Sequence, residues 1–393
     1  MFAPQKVGEG MHAYTVYLVA VGDGRPVPRR YSDFKWLHDT LAHDEPLRVV
    51  PPVPGKSLTG RFNEQFVAVR CFELNQFMLG VMAHAVLSRH AAVHAFIADD
   101  GGAALEALRA SRATASPPAS APAPAAEAVA PANSTTQRLG AFGSALWSAV
   151  TSLPAKVAKA ATAPPDEIDP YIDAATGRLQ ALRAALAHAA SAARRRASAL
   201  VSEAGLEPAA DGTVAPAVTA QVSGGASDVA AALLGLARSE AGHDARSAGT
   251  ISTVASTAQH QLSLMSQDAA ETRTTLAHPA DYLARLCDAV GNILSHRLSL
   301  LTTAHEAKQR VLTLHSGSHD LESETLAAAR RDADAADDAY ESATAVVREE
   351  LENFFQSNSR AMRTVMVEYA QAQMNVAMSS ANSWKQVVVS FAD

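Results

Sequence analysis

The sequence predicts two folds in series: an N-terminal α+β domain, a small antiparallel sheet with helices, and then an all-α elongated three-helix bundle. Three observations predict this. The run from His12 to Val21 is rich in β-branched and aromatic residues and ends in Gly22-Asp23-Gly24, a hairpin signal. No strand pattern recurs after Pro165. Aromatic residues make up only 5% of the 393 residues and alanine is abundant, which favours long helices with thin cores.

The elements follow in order. A second strand runs from about Arg25 to Tyr31. The period then changes, with Ser32 as a helix N-cap and Phe34, Leu37 and Leu41 at helical spacing. Val49-Val50-Pro51-Pro52-Val53-Pro54 must be extended, because each proline fixes its own φ and disfavours helix before it. Helical spacing returns at Phe66, Val69, Leu74, Phe77, Met78 and Val81, and a short helix near Ala91–Ile97 closes the domain. The boundaries are set at 1–102 for this domain, 103–137 for a flexible Ala/Pro/Ser-rich linker, 138–163 for an amphipathic helix and 164–393 for the helical region. The linker assignment rests on five prolines (117, 118, 122, 124 and 131).

Within the helical region, helices are expected over Arg178–Ser202, from Asp228 to about Thr275, over Asp281–Leu314 and from Asp320 to about Phe391. A break at 207–225 carries Pro208, Gly212, Pro216 and Gly224-Gly225, and His278-Pro279 marks another. Phe355, Met362, Tyr369 and Val376 recur every seven residues, a coiled-coil pattern. With Leu351 and Val365 they form a stripe expected to be covered by a partner chain.

Charge and composition exclude several classes. The net charge of −7 divides into zero for residues 1–100, +3 for 101–165 and −10 for 166–393. An acidic helical half argues against nucleic acid, whose phosphates demand clustered Lys and Arg. Cys71 and Cys287 form no disulfide framework, which fits a reducing compartment. Met1-Phe2-Ala3-Pro4-Gln5-Lys6 lacks the basic-then-apolar start of a signal peptide, and Leu139–Ala155 is too short and polar to span a bilayer. Asp332-Ala333-Asp334-Ala335-Ala336-Asp337-Asp338 lacks the glycine and glutamate of a calcium loop and reads as a solvated helix face, so no metal is expected. There is no phosphate-binding glycine loop and no nucleophile elbow. A non-enzymatic protein without a cofactor is expected.

Three motifs in order resemble the phox-homology (PX) domain: Arg29-Arg30-Tyr31-Ser32-Asp33-Phe34-Lys35-Trp36-Leu37, then Val50-Pro51-Pro52-Val53-Pro54-Gly55-Lys56, then Phe66-Val67-Ala68-Val69-Arg70 with Leu74 and Phe77. Val367-Glu368-Tyr369-Ala370-Gln371-Ala372-Gln373, Trp384 and the earlier Glu349-Glu350-Leu351-Glu352-Asn353-Phe354 are similar to the BAR domain of sorting nexins. The chain therefore resembles a PX-BAR sorting nexin.

The resemblance implies a binding site for phosphatidylinositol 3-phosphate. Arg30 would grip the 3-phosphate, Tyr31 pack against the inositol ring, Lys56 contact the 1-phosphate and Arg70 bond the inositol hydroxyls. A guanidinium suits the first role because it offers two parallel donors to a phosphate. Arg29 is either a second phosphate contact or a solvated cation. Leu58 is the one obvious membrane-inserting residue of the loop after Lys56. The resemblance further implies a cytoplasmic protein, peripheral on endosomal membranes. It would be a homodimer, or a heterodimer with another sorting nexin, that senses or shapes curvature in cargo sorting. The alternative is a coiled-coil adaptor acting by partner binding, with a degenerate PX domain.

Two further segments bear on membranes. Leu139, Phe142, Leu146, Val150, Leu153 and Val157 lie 3, 4, 4, 3 and 4 apart, one apolar helical face bordered by Trp147, with an almost uncharged polar face opposite. Pro154 ends or kinks this helix near Leu153. Leu139, Phe142, Leu146, Trp147, Val150 and Leu153 are the candidate membrane-inserting residues; the other reading is a helix docked on the bundle. Arg194-Arg195-Arg196 is the densest basic run, but successive helix positions are about 100° apart, so the three cannot share one face.

Overall fold

The structure, a computed structural model, describes residues 4–8, 14–20, 25–56, 64–98, 101–115, 169–204, 207–208, 214–215, 225–241, 244–317 and 324–390. Three antiparallel strands, β1 (Pro4–Val7), β2 (Tyr14–Val19) and β3 (Val27–Arg30), form a sheet in that order. β1 is an addition to the expected pair; it registers Gln5 against Val16. Helices α1 (Tyr31–Asp44), α2 (Glu64–Ala83) and α3 (Ala91–Ile97) pack beside the sheet. Their shared core contains Tyr17, Phe34, Leu37, Leu41, Leu74, Phe77, Val81 and Phe96. Phe34 meets Tyr17, Phe77 and Phe96 edge-on, with ring centroids 6.2, 6.5 and 4.9 Å away. Phe66–Ala83 is long and apolar enough by composition to cross a membrane. Its Leu74, Phe77, Met78 and Val81 are buried in this core instead.

The segment from 103 does not begin as a flexible linker. Ala103–Ala115 is a helix, α4, with Leu105 buried and Leu108 packed on the core. Arg109 bonds Asp33 at 3.0 Å and lies 5.0 Å over the Trp36 ring, and Arg112 makes a two-point pair with Asp44 at 2.6 and 2.7 Å. An alanine-rich composition serves a helix as readily as a linker, and the 3- and 4-residue spacing of these contacts decides for helix. The linker prolines and the amphipathic segment 138–163 lie outside the described residues.

The later region contains α5 (Pro170–Glu203), a two-residue strand pair (β4, Glu207–Pro208, with β5, Val214–Ala215), α6 (Gly225–Glu240), α7 (Ala245–Thr272), α8 (His278–Gly317) and α9 (Glu324–Ser390). The expected break at 207–225 is present. The expected helix from 228 to 275 is two helices, because Asp244 is extended and its carboxylate accepts the Arg246 N–H at 3.0 Å, capping α7. Pro279 sits at a helix start, as expected, since α8 begins at His278. A π turn at Arg273–Ala277 leads directly into α8. Proline lacks an N–H and its ring crowds the carbonyl four residues back, here Thr275; the wider turn relieves both.

The chain divides into two compact units. One comprises Met1–Phe62, Val67–Gln180 and Arg285–Phe354; the other comprises Asn63–Phe66, Ala181–Ala284 and Phe355–Asp393. In the first, Glu350 of α9 is 3% exposed. Its carboxylate accepts from Arg48 at 2.9 Å, from the Val49 N–H at 3.0 Å and from His84 Nε2 at 3.1 Å. Burial pushes its pKa up, but the bonds from His84, Val49 and Arg48 outweigh burial and hold it below the ordinary 4.5. A carboxylate with a depressed folded pKa contributes stability above its unfolded value and loses it as pH falls through the folded one. The groups facing it are Arg48 and His84, with Glu349 alongside Arg48 at 3.5 Å. Urea unfolding should therefore show wild type more stable than Glu350→Gln at about pH 6, with the difference gone by about pH 3.

In the second unit, Arg196 Nη2 donates to Asp268 at 2.6 Å and to Gln373 at 2.8 Å, and Gln373 Nε2 donates back to Asp268 at 2.6 Å. Thr272 also donates to Asp268, at 3.2 Å. The basic run thus points three ways: Arg194 to Asp281 at 3.4 Å, Arg195 to Ser191 at 2.7 Å and Arg196 into this three-helix pin.

Candidate functional site

The alternation of β3 separates the two arginines of the first motif. Val27 and Arg29 point inward, while Pro28 and Arg30 are exposed. Arg29 is 4% exposed and donates to the carbonyls of Phe96 at 2.8 Å and Ala98 at 3.1 Å. It is a structural bolt between β3 and the end of α3, not a phosphate contact. Arg30 remains at the surface, 5.5 Å over the ring of Tyr14 on β2.

Helix α1 begins at Tyr31 with Arg30 at the cap position, two residues earlier than expected, and Ser32 is not its cap. The carboxylate of Asp33 accepts the Arg30 backbone N–H at 2.7 Å. This fixes the turn on which Arg30 and Tyr31 sit. Asp33→Ala should cost about 1–2 kcal/mol of stability, since it removes both the cap and the Arg109 pair. A lowered midpoint in chemical unfolding is the expected observation.

Tyr31 is half-buried. Its hydroxyl donates to the Pro54 carbonyl at 2.6 Å. The Arg70 guanidinium stacks 4.4 Å over its ring and donates Nη2–H to the Gly55 carbonyl at 2.9 Å. Burial raises the Tyr31 phenol above its ordinary value, against the opposing charge of Arg70, so it stays a donor. The proline-rich segment is thus tied to both Tyr31 and Arg70. The next residue along it is Lys56, which is exposed, as is Arg30, the residue before Tyr31.

The structure brings two of the four expected site residues, Tyr31 and Arg70, into contact, while Arg30 precedes Tyr31 and Lys56 follows Gly55 in the chain. Tyr31 and Arg70 make a stacked floor; Arg30 and Lys56 are exposed and adjoin Tyr31 and Gly55 in the chain. Among the described residues neither Arg30 nor Lys56 belongs to an ion pair. An aromatic and a guanidinium face, with exposed cations next in the chain to Tyr31 and to Gly55, suit a ring that carries phosphates and hydroxyls. Tyr14 and the Pro54 and Gly55 carbonyls were missed from the sequence. The period-two pattern back from Val27 contained the signal for Tyr14, because Arg30 registers with Val16 and stands on the same sheet face as Tyr14.

Leu58 and the apolar series Leu139, Phe142, Leu146, Trp147, Val150 and Leu153 lie outside the described residues. No cluster able to hold a metal occurs among the described residues. Asp337 instead pairs with Lys308 at 2.9 Å.

Of the expected heptad stripe, Met362, Tyr369 and Val376 are half-buried and Phe355 is buried, so it is not the most exposed apolar face. Leu351 is fully buried within its own chain, and Phe355 and Val365 nearly so. The exposed apolar residues of α9 are Met366, Val367, Met374, Met378, Trp384, Val388 and Val389. At about 100° per residue they fall within an arc of about 140°. Ala370, Ala377 and Ala381 share the arc and are exposed too, as is Lys385 toward its end.

A model of the PX domain matches residues 23–100. Sorting nexin-12 of Mus musculus is 34% identical over 116 residues, covering 25% of this chain and 70% of that protein. Sorting nexin-3 of Homo sapiens is 33% identical over 114 residues, with the same two coverages. The cryo-EM structure of the SNX-BAR Mvp1 tetramer aligns with 98% of this chain and 99% of that one, at a TM-score of 0.54 and 14% identity, a likeness of fold. The sequence identity reaches across most of two sorting nexins, so the chain belongs to the sorting nexin family, and its fold over nearly the whole chain is like that of the SNX-BAR structure.

Proposed function

We propose that this sorting nexin reads phosphatidylinositol 3-phosphate through Arg30, Tyr31, Lys56 and Arg70, and that a BAR dimer of it senses or shapes curved endosomal membrane during cargo sorting. Membrane trafficking is the role its family shares. The observation that carries the finer reading is the Tyr31–Arg70 stack tied to the Pro54 and Gly55 carbonyls, with the exposed cations Arg30 and Lys56 next in the chain to Tyr31 and Gly55. Such a floor is already organised before a headgroup arrives, so little ordering is lost on binding.

Charge supports a specific contact over a general one. The balance of −10 in residues 166–393 gives the helical region little attraction to anionic lipid. Selective headgroup binding and apolar insertion must then supply the affinity. The series Leu139–Leu153 suits the second role, because an apolar face without strong charge favours curved membrane with packing defects. The exposed arc on α9 supports association with a second copy or another sorting nexin, and the SNX-BAR Mvp1 structure is of a tetramer. The function is binding, not catalysis, and it places the protein peripherally on the cytoplasmic side of endosomes.

The test is flotation of the full chain on vesicles of two diameters, with and without phosphatidylinositol 3-phosphate. Binding that requires the lipid and rises on the smaller vesicles is expected. Lipid-independent behaviour would favour the adaptor reading.

A further inference from the structure

The segment that carries Lys56 is held at almost every residue. Three prolines make Val50–Pro54 a stiff, extended rod. The Val49 N–H donates to Glu350 at 3.0 Å. Pro51 lies so close to α2 that a Cβ on Gly80 would sit 2.6 Å from its ring, which is why glycine is needed there. The Val53 carbonyl accepts from Arg285 Nη1 at 3.3 Å. The Pro54 and Gly55 carbonyls accept from Tyr31 and Arg70. Lys56 follows directly.

Two of these anchors, Arg285 of α8 and Glu350 of α9, come from the helical region rather than from the domain that contains the pocket. Both belong to the same compact unit as the rod. Arg285 makes a second contact through Nη2, to the Glu73 carboxylate, one turn of α2 beyond Arg70. Glu350 also holds Arg48 and His84, which lie immediately before the rod and just after α2. A stiff rod fixed at Val49 and Val53 has little freedom left at Lys56.

We propose that Arg285 and Glu350 are positioning residues for the headgroup pocket: they hold the Val49–Lys56 rod, so affinity for the lipid headgroup depends on helices α8 and α9. This rests on the reading of Arg30, Tyr31, Lys56 and Arg70 as a phosphoinositide site. The coupling runs both ways, because headgroup binding must then also tighten the anchors on the helices.

The experiment is calorimetric titration of the full chain with inositol 1,3-bisphosphate, the soluble headgroup, which removes membrane and curvature from the readout. Arg285→Ala and Glu350→Gln should each weaken binding by about 5-fold to 30-fold while the protein stays folded by circular dichroism. Arg285→Lys, which can keep one of the two contacts, should recover part of the loss. In a Lys56→Ala background, the loss from Arg285→Ala should shrink, because the residue that it places is gone. A general loosening of the fold would cost the same in both backgrounds. Wild-type affinity in folded Arg285→Ala and Glu350→Gln, or an undiminished loss in the Lys56→Ala background, overturns the positioning role. Arg30→Ala separates the two levels: if it keeps wild-type affinity, the pocket itself is wrong and the positioning role falls with it. If it abolishes binding while the anchor variants bind normally, only the positioning role fails. Should Arg285→Ala not fold, Arg285→Lys and Glu350→Gln decide by the same comparison.

Discussion

Arg30→Ala should abolish binding to vesicles that contain phosphatidylinositol 3-phosphate and leave the fold unchanged. Both halves of this expectation come from geometry. Arg30 is exposed at the end of β3 and its guanidinium lies 5.5 Å over the Tyr14 ring. The cap of α1 uses the Arg30 backbone N–H, which alanine retains. No core contact is lost. A charge-assisted contact to a phosphate at a recognition site is worth roughly 2–5 kcal/mol, tens- to thousands-fold in affinity. Lys56→Ala should cost less, since an exposed ammonium is a well-hydrated point charge without a fork of donors. Arg29→Ala should behave in the opposite way to Arg30→Ala. It leaves the Phe96 and Ala98 carbonyls without their donor and should destabilise the domain. Flotation and chemical unfolding on the same three variants separate a lost ligand contact from a lost bolt.

Met374→Glu with Met378→Glu should convert a dimer to a monomer in light scattering at micromolar concentration. These methionines lie within the exposed arc of α9, one turn apart. Each large apolar side chain covered by a partner contributes about 1.5–3 kcal/mol, and a carboxylate at the same place must be desolvated at a cost of several kcal/mol. The two effects add, so the pair should be decisive. Glutamate at both positions leaves the intramolecular pin of Arg196, Asp268 and Gln373 intact, so the helices should stay folded. An unchanged mass would place the interface on another face.

How much of this was legible in the sequence differs from element to element. The PX motifs were readable because they combine two strong local signals, a switch of period from two to 3.6 at Tyr31 and a run of prolines that allows only extended chain. The four candidate residues come from three separate stretches, and what ties Tyr31 to Arg70 is hydrogen bonding to the backbone of the proline run, which no spacing rule reveals. The roles of Arg29 and Arg30 could be told apart only by alternation, with Val27 as the inward reference. Serine is a common cap, which favours Ser32 in the sequence; Asp33 at the third helical position carries the competing signal.

The helical region was harder. A proline usually ends a helix, and a π turn that absorbs Pro279 has no marker in composition. A seven-residue repeat identifies an apolar face but not what covers it. Leu351, Phe355 and Val365 are covered by the chain itself, whereas Val367 and Trp384, noted only as family signatures, are exposed. Gln373 belongs to the same signature, and its bridge between Arg196 and Asp268 gives it a structural role.

The most direct test of the account is the binding of the full wild-type chain to a panel of vesicles, each containing one phosphoinositide and all matched in total negative charge. A pocket built from Arg30, Tyr31, Lys56 and Arg70 predicts strong binding to phosphatidylinositol 3-phosphate and weak binding to the 4-phosphate and the 4,5-bisphosphate, because selection depends on where the phosphates sit on the ring. Equal binding across the panel would mean that the protein reads surface charge alone, and would contradict the account.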